Sequence, residues 1–306
     1  MLRAIVLGAA AGGGVPQWNC NCENCRTARG TLSLQATQAS LAVSCDDSHW
    51  FLINASPDVR QQIIATPRLH PREGALRHTP IAGVFLTNGE VDAVAGLLSL
   101  RESSPFTIYA HRKVLSVLAE NSIFNVLNPD FVRREPIEIE RPFEPKLPDG
   151  SHSGLEVTAF VVPGKPAWYL EGTGREKPEE EGDTIALHIR AKSGGELFFI
   201  AACGEVTPEL EKRIAGAPLV FFDGTLWRDD EMITSGLGWK TGRRMGHISM
   251  SGEDGAIARL ADLGIRQKVF LHINNSNPVL RPGSEERRQA EAAGWLIPHD
   301  GMELTQ

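Results

Sequence analysis

Three cysteines close to the N-terminus have the spacing of metal ligands. Cys20, Cys22 and Cys25 lie in the run Asn-Cys-Asn-Cys-Glu-Asn-Cys. Thiolates of one loop can turn onto a single soft cation, and zinc binds such thiolates in a tetrahedral shell. The fourth ligand must come from elsewhere in the fold or from water. Four protein ligands would indicate a structural site, and three with water a catalytic one. We predict a metal site here, with free thiols or an accidental cluster as the alternative.

Several polar residues further along the chain stand where apolar runs end. Glu90 and Asp92 follow one such run, Asp223 ends another, and His272 ends a third. Side chains at strand ends can face a crevice. They can also cap a turn or stabilise a helix dipole. His247 precedes a helical stretch, so it is a candidate acid or base, or a cap.

Composition narrows the classes of function. The chain has 306 residues, 42% hydrophobic, and a net charge of −7. This charge argues against nucleic-acid binding, which normally shows a basic face. No apolar run approaches the roughly 20 residues of a membrane span. Five cysteines, three of them clustered, fit a reducing compartment better than a disulfide framework. We therefore expect a cytoplasmic protein that binds neither nucleic acid nor membrane.

The elements that must position these residues can be read from short apolar runs and turn residues. The hairpins 41–54 and 185–200 are expected to turn at 46–48 and 193–195, and 172–182 is expected to be an exposed charged loop. Hairpins and β-α units alternate in blocks, which disfavours a doubly wound parallel sheet. The prediction is α/β, a four-layer αββα sandwich with two mixed sheets, in one domain over 1–306. Predicted strands are 4–7, 39–44, 50–54, 81–87, 106–110, 155–162, 184–190, 197–202, 219–222 and 268–273. Predicted helices open at Ser56-Pro57 and cover 91–102, 113–121, 208–215, 252–263 and 284–293.

Seven segments carry a resemblance to a known family. The most distinctive are Gly-Gly-Gly-Val-Pro-Gln-Trp-Asn-Cys at 12–20 and His-Ile-Asn-Asn-Ser-Asn-Pro at 272–278. In this order the segments resemble the metallo-β-lactamase superfamily and, within it, the pyrroloquinoline quinone (PQQ) biosynthesis protein B family. The resemblance covers nearly the whole chain and implies the αββα fold. The segments are 8–20, 54–62, 86–88, 162–165, 222–225, 245–247 and 272–275.

The resemblance implies that one of the superfamily's two metal sites is lost. The H-x-H-x-D-H box aligns with 88–93, where only Asp92 remains and Ala93 replaces a histidine. Lys165 falls at a first-site histidine, and an ammonium cannot ligate a cation. A two-metal hydrolase is therefore the least favoured interpretation. At the second site Asp92 and His272 match, Cys203 lies near the bridging acid, and Asp223 or Glu90 could supply a further carboxylate.

The family resemblance implies synthesis of the redox cofactor PQQ from a Glu-Tyr-bearing peptide. The implied reaction is iron- and oxygen-dependent hydroxylation of the tyrosine ring, with Fe(II) near Asp92, His272 and Asp223. His247 and Lys165 are the candidate catalytic groups.

The alternative is a non-enzymatic carrier of PQQ or its precursor toward the periplasm. The candidate binding residues for that ligand are Trp18, Arg60 and Arg244. The expected partners are the precursor or PQQ itself and other PQQ biosynthesis proteins, with a homodimer as a further possibility.

The resemblance also implies a separate structural zinc on Cys20, Cys22 and Cys25, as in related phosphodiesterases. There the cluster is completed from the C-terminal part of the chain. Asn275, His299 or water would complete it here.

Overall fold

The elements follow the predicted order with three additional strands. A computed structural model describes residues 1–171 and 182–306. The strands are β1 (Arg3–Gly8), β2 (Ser40–Ser44), β3 (Trp50–Ile53), β4 (Ile81–Leu86), β5 (Phe106–His111), β6 (Val132–Ile137), β7 (Leu155–Val161), β8 (Ile185–Ala191), β9 (Glu196–Ile200), β10 (Leu219–Asp223), β11 (Gln267–Leu271), β12 (Trp295–Leu296) and β13 (Glu303–Thr305).

The α-helices are short and fall between the strands. They are α1 (Glu23–Gly30), α2 (Val59–Ala65), α3 (Val91–Val94), α4 (Arg112–Glu120), α5 (Pro208–Ile214), α6 (Glu231–Thr234), α7 (Ala256–Arg259) and α8 (Glu285–Ala292). Single 3-10 turns or short 3-10 helices cover Leu32–Leu34, Pro67–Leu69, Ala95–Leu100, Ser122–Val126, Trp168–Leu170, Arg243–Met245 and Pro278–Leu280. No helix within 1–171 or 182–306 is both long and apolar enough to cross a membrane.

The strands form two mixed sheets. The first has the order β13-β1-β2-β3-β4-β5-β6 and the second β12-β11-β10-β9-β8-β7. In the first sheet β3 to β6 run parallel and the pairs from β13 to β3 antiparallel. In the second sheet β9 to β12 run parallel, and β7-β8 and β8-β9 are antiparallel. The predicted hairpins are the pairs β2-β3 and β8-β9.

Apolar side chains cover both faces of each sheet, which explains the strands' near-continuous hydrophobic runs. Alternation along β3 shows the arrangement: Phe51 enters the core between the sheets, whereas Leu52 joins the core beneath the outer helices. Phe222 and Trp295 belong to a third core on the outer face of the second sheet. Each buried aromatic or leucine contributes about 1.5–3 kcal/mol of transfer free energy. Two sheets with helices outside both make the predicted four-layer αββα sandwich, which is confirmed.

The two sheets are joined at one edge, where the candidate site lies. Beyond β1, Ala10 bridges both Gln38 and Ile273, so the ends of β1 and β11 are held together. Asn54, after β3, has a left-handed φ of 62°. Its Oδ1 accepts the backbone N–H of Thr87 at 2.9 Å, which links the ends of β3 and β4. The loops after these four strands, β1, β3, β4 and β11, therefore lie at one edge of the sandwich.

Several predicted boundaries differ from the structure. The helix predicted to open at Ser56-Pro57 begins at Val59, because the Ser56 hydroxyl bonds the Asp58 N–H and Gln62 instead of capping a helix. The helix predicted over 91–102 turns into a 3-10 helix after Val94, and the one over 252–263 shrinks to Ala256–Arg259. Strands β6, β12 and β13 and helices α1 and α6 have no counterpart among the predicted elements. The predicted charged loop 172–182 lies outside the described residues except for Gly182, and the single domain stays a prediction.

Candidate metal centres

The three predicted cysteine ligands do come together. Cys22 is the N-terminal cap residue of α1, Cys25 lies in its first turns, and Cys20 precedes it in a loop. Their sulfurs lie within 4.8 Å of one another. Tetrahedral zinc with Zn–S bonds of about 2.3 Å requires sulfurs about 3.8 Å apart, so the thiols fit a zinc shell after small adjustments. Cys20 and Cys25 are buried, so water has little access to compete with these sulfurs as a ligand.

Hydrogen bonds from amide groups favour negative charge on these sulfurs. The N–H of Gln17 donates to Cys25 Sγ at 3.3 Å, and that of Cys22 to Cys20 Sγ at 3.4 Å. Burial opposes ionisation of Cys20, but hydrogen bonds from Cys22, Cys25 and Asn275 outweigh it and lower the pKa of this thiol. Burial raises the pKa of Cys22 to about 11. Metal binding would therefore displace a proton from Cys22.

Asn275 occupies the fourth side of the cysteine cluster. Its Nδ2 lies 3.1 Å from Cys20 Sγ, 3.7 Å from Cys22 Sγ and 3.3 Å from Cys25 Sγ. A half-turn of the amide would present the oxygen, which is the ligating atom, in the same place. His299 is exposed, and its ring nitrogen contacts the Asp300 carbonyl at 2.9 Å. Of the two predicted protein candidates for a fourth ligand, Asn275 is the one at the cluster.

A second group lies in the crevice between the sheet ends. His272 follows β11, His247 follows a 3-10 turn, and Asp223 ends β10. One ligand atom from each of these three residues lies within 4.8 Å of the others. The rings of His247 and His272 are stacked with centroids 5.0 Å apart. Asp92, in the first turn of α3, places Oδ2 2.9 Å from His272 Nε2.

The hydroxyl of Thr225 organises the two imidazoles. Its oxygen lies 2.7 Å from Asp223 Oδ1, 3.0 Å from His247 Nδ1 and 2.9 Å from His272 Nδ1. A carboxylate can only accept, so the single hydroxyl proton goes to Asp223 and both histidines donate from Nδ1. That tautomer leaves the Nε2 lone pair of His247 for a ligand, whereas His272 Nε2 donates to Asp92 and would lose its proton on binding a metal. In metal sites a ligating histidine usually donates its other ring N–H to an oxygen acceptor, which fixes the tautomer and the orientation of the ring.

Both oxygens of Asp223 are already engaged. The residue is completely buried. Oδ1 accepts from the Thr225 N–H and hydroxyl, and Oδ2 accepts from the Cys203 N–H at 2.9 Å and His247 Nδ1 at 2.7 Å. The Cys203 thiol donates to the Glu205 carbonyl, and burial raises its pKa to about 12. Cys203 thus contacts the site through its backbone.

Asp92 and His272 form an ion pair in the crevice. Burial works against both charges, but their mutual hydrogen bond lowers the pKa of Asp92 and raises that of His272. His272 adopts a left-handed φ of 60°, which costs a non-glycine residue about 1–2 kcal/mol. The strain is held by the Ile273 N–H bond to the Ala9 carbonyl at 2.9 Å. Gly12 packs against the Asp92 carboxylate, because a Cβ at this position would lie 3.4 Å from Asp92 Oδ2, an ordinary van der Waals contact.

Lys165 is part of a charge network beside the crevice. Its Nζ lies 3.3 Å from Glu90 Oε1 and 2.9 Å from Glu171 Oε1. Glu90 also accepts the Trp168 N–H at 3.0 Å, so its carboxylate is held on Lys165 and Trp168. Ala93 is buried, with its carbonyl bound to the Ala55 N–H.

The predicted ligand-binding residues Trp18, Arg60 and Arg244 are all exposed. Arg244 lies over the exposed Trp239 ring, with Cζ 5.0 Å from the centroid. Trp18 is 87% exposed. Within the described ranges, neither Trp18 nor Arg60 has a hydrogen-bond or ion-pair partner for its side chain.

Sequence reasoning assigned no role to Thr225, Asn24 or Asn277, although each contacts a predicted centre. Thr225 follows Asp223 by two residues. At this spacing an aspartate side chain commonly accepts hydrogen bonds from the residue two positions later. That spacing was the available signal.

Comparison with known proteins agrees with the fold and the motifs. A family model for the beta-lactamase superfamily domain matches residues 49–273. Coenzyme PQQ synthesis protein B of Rhodopseudomonas palustris is 67% identical over 307 residues, and the match covers 100% of both chains. The chain belongs to the coenzyme PQQ synthesis protein B family. The predicted resemblance is therefore confirmed.

Solved structures place this family member within the wider fold. Zn²⁺-bound PqqB from Methylobacterium extorquens superposes with a TM-score of 0.92 and 50% identity, covering 99% of this chain and 100% of that one. A diphosphatase of the PhnP family has a TM-score of 0.69 at 19% identity, covering 99% of this chain and 96% of that one. At that identity the diphosphatase shows a shared fold alone.

Proposed function

We propose that the chain acts in the synthesis of PQQ, as the name of its relatives says, by iron- and oxygen-dependent hydroxylation of the tyrosine ring of a Glu-Tyr-derived precursor. The observation that carries the proposal is the donor set in the crevice. His272 contacts the Asp92 carboxylate at 2.9 Å, and the His247 imidazole stacks on His272. Two histidines and one carboxylate with open positions are typical of non-haem Fe(II) oxygenases.

The assignment differs from the expected set of Asp92, His272 and Asp223. Asp223 is buried and bonded through both oxygens, so its role is to orient His247 and, through Thr225, His272. His247, expected as an acid or base, takes the third ligand position, for which Ala93 offers no side chain. Iron bound there would activate oxygen for attack on the ring.

The protein's own residues would then bind and orient the precursor. Arg244 and Trp239 stand together on the 239–244 loop, and Trp168 borders the same charge network as Lys165. Guanidinium groups bind carboxylates in bidentate fashion, and indoles stack on aromatic rings. A precursor with carboxylates and a phenol ring matches both. Arg60 and Trp18 are further contacts for its carboxylates and ring.

Lys165 argues against the competing two-metal hydrolysis. Its ammonium stands at the expected first-site position and is held by Glu90 and Glu171. A cation there would meet a positive charge instead of a lone pair. In the hydroxylase Lys165 is assigned the neutralisation of substrate charge beside the metal.

The cysteine centre is assigned a structural zinc. The zinc in the Methylobacterium relative, together with three converging thiols and Asn275, supports this metal. Its loss in Cys20→Ser, measured as zinc per chain, is the direct test. A cytoplasmic location, a homodimer and contacts with other PQQ biosynthesis proteins remain predictions.

A carrier of PQQ or its precursor is the second candidate. Ala93 in place of a ligand and the exposed Trp18, Arg60 and Arg244 favour it. Such a protein would bind the polycarboxylate without needing iron.

The test begins with anaerobically purified protein supplied with Fe(II). We expect near-stoichiometric iron, and a gain of one oxygen in a Glu-Tyr peptide on exposure to air. Asp92→Asn and His272→Ala should lose iron, while His70→Ala, at an exposed histidine, should keep it. Tight PQQ binding without iron or oxygenation would favour the carrier. Absence of both activities would overturn the two proposals.

A further inference from the structure

One short segment carries residues of both candidate centres. His272 lies in the crevice beside Asp92, and three residues later Asn275 faces the cysteine sulfurs. The segment 272–277 follows β11 and is followed by a 3-10 turn. A shift of this segment at one centre would therefore also displace the residue that it contributes to the other centre.

Asn24 ties the cysteine helix to this segment. It lies in α1 between Cys22 and Cys25 and is 7% exposed. Its Nδ2 donates to the carbonyls of Asn275 and Asn277, each at 2.9 Å. The donors of one amide group are thus both used to hold the segment against the helix that carries two of the thiols.

Asn277 continues the connection to the crevice. It is completely buried. Its Nδ2 donates to the Gly224 carbonyl at 3.2 Å and the Thr225 carbonyl at 3.3 Å, while Oδ1 accepts the Val279 N–H at 3.0 Å. The Asn274 N–H also donates to the Thr225 carbonyl, at 3.0 Å.

Thr225 closes the path, because its hydroxyl contacts both histidines and Asp223. The path from α1 to the imidazoles consists of buried and partly buried hydrogen bonds. Buried networks of this kind are satisfied in one arrangement, and losing a partner costs the remaining group its desolvation energy.

We propose that Asn24 and Asn277 are positioning residues that couple zinc occupancy at the cysteines to the placement of His272. Zinc draws the three sulfurs and α1 together, and Asn24 transmits that constraint to the segment carrying His272. Coupling between two sites is reciprocal, so a crevice metal would also tighten zinc binding. The inference rests on the proposed metal centres but not on the hydroxylation reaction.

The first test observes His272 directly by NMR of ¹⁵N-labelled histidine side chains, assigned with His272→Ala. Zinc is removed from the purified protein with a chelator and then restored. We expect the His272 nitrogen signals to move on zinc removal and return on restoration. In Asn24→Ala the same cycle should leave them nearly unmoved. Asn21→Ala is the matched control, because the exposed Asn21 side chain accepts a hydrogen bond from Arg29 of α1 and the Arg26 bond is to its backbone carbonyl.

The second test measures affinity with Co²⁺ as the probe. Crevice binding is followed by d–d absorption, and charge-transfer absorption reports any cobalt on thiolates. Zinc removal should weaken crevice binding about tenfold in the parent chain and by less than twofold in Asn24→Ala. Asn277→Ala should behave as Asn24→Ala does.

A merely stabilising Asn24 would lower the melting temperature yet leave the zinc dependence intact, and that result would overturn the proposal. So would His272 signals that ignore zinc, or a purified protein with no zinc on its cysteines. A crevice that binds no cobalt would count against the proposed iron centre, while the NMR experiment would still decide the coupling.

Discussion

Replacement of Thr225 by valine tests the crevice assignment most directly. The two side chains have nearly the same shape, so the change removes the hydroxyl and little else. Thr225 is 4% exposed, so water cannot readily replace the lost group. Asp223 Oδ1 would keep only the backbone N–H of residue 225, and His272 Nδ1 would lose the acceptor it has at 2.9 Å.

The magnitude follows from the three contacts of the hydroxyl. The bond to the Asp223 carboxylate at 2.7 Å is charge-assisted, and such a bond contributes about 1.5–3 kcal/mol. The unsatisfied imidazole N–H adds part of its desolvation cost. We expect a loss of about 2–3 kcal/mol in the free energy of unfolding, or about 3–5 °C in melting temperature for a chain of this length. Because the hydroxyl supports both proposed ligands, metal affinity should fall about 10- to 100-fold.

The assay is thermal unfolding by circular dichroism, paired with Co²⁺ titration of the crevice. Thr225→Ser is the matched control, since it keeps the hydroxyl and loses only a methyl group. The serine variant should lie within about 1 kcal/mol of the parent chain and keep its metal affinity. Equal stability and equal affinity of the valine and serine variants would refute the proposed role of the hydroxyl.

Two further predictions concern stability away from the crevice. Glu144 accepts hydrogen bonds from Lys192, His152 and the Gly154 N–H, and Lys192 above all lowers the carboxyl pKa from 4.5 to about 2. The carboxylate therefore stabilises the fold above pH 4.5 and loses this effect as pH falls toward 2. Glu144→Gln should lower the free energy of unfolding by about 1 kcal/mol at pH 7, after allowance for solvent screening. In denaturant titrations this loss should be smaller at pH 3.5. A loss that does not change with pH would contradict the prediction. Gly96→Ala should destabilise the fold by about 3 kcal/mol, because its Cβ would clash with the Ser56 carbonyl oxygen. A Cβ at Gly30 meets open space, so Gly30→Ala should stabilise the fold by about 0.5 kcal/mol. Denaturant unfolding measures both changes.

Much of the sandwich could be predicted because burial on both faces leaves a strong local signature. Runs such as Phe51–Ile53 and Phe221-Phe222 can hardly be anything but interior strands. Strand β6 could not be predicted, because it lies at a sheet edge and Arg133, Arg134 and Glu135 interrupt its apolar pattern. Helix α1 could not be predicted either, because the cysteine spacing suggests a loop and its mostly polar sequence has no apolar stripe.

The sequence by itself determined the family, the two-sheet architecture and the clustering of three thiols, because these depend on residue type and short spacing. The family resemblance also predicts that Lys165 and Ala93 replace metal ligands. The tertiary structure decided which distant residues meet. It placed Asn275 at the thiols, brought His247 onto His272, and used up both oxygens of Asp223 in hydrogen bonds. Such contacts join positions 20 to 255 residues apart, and only the register of two packed sheets sets their distances, which no local pattern records.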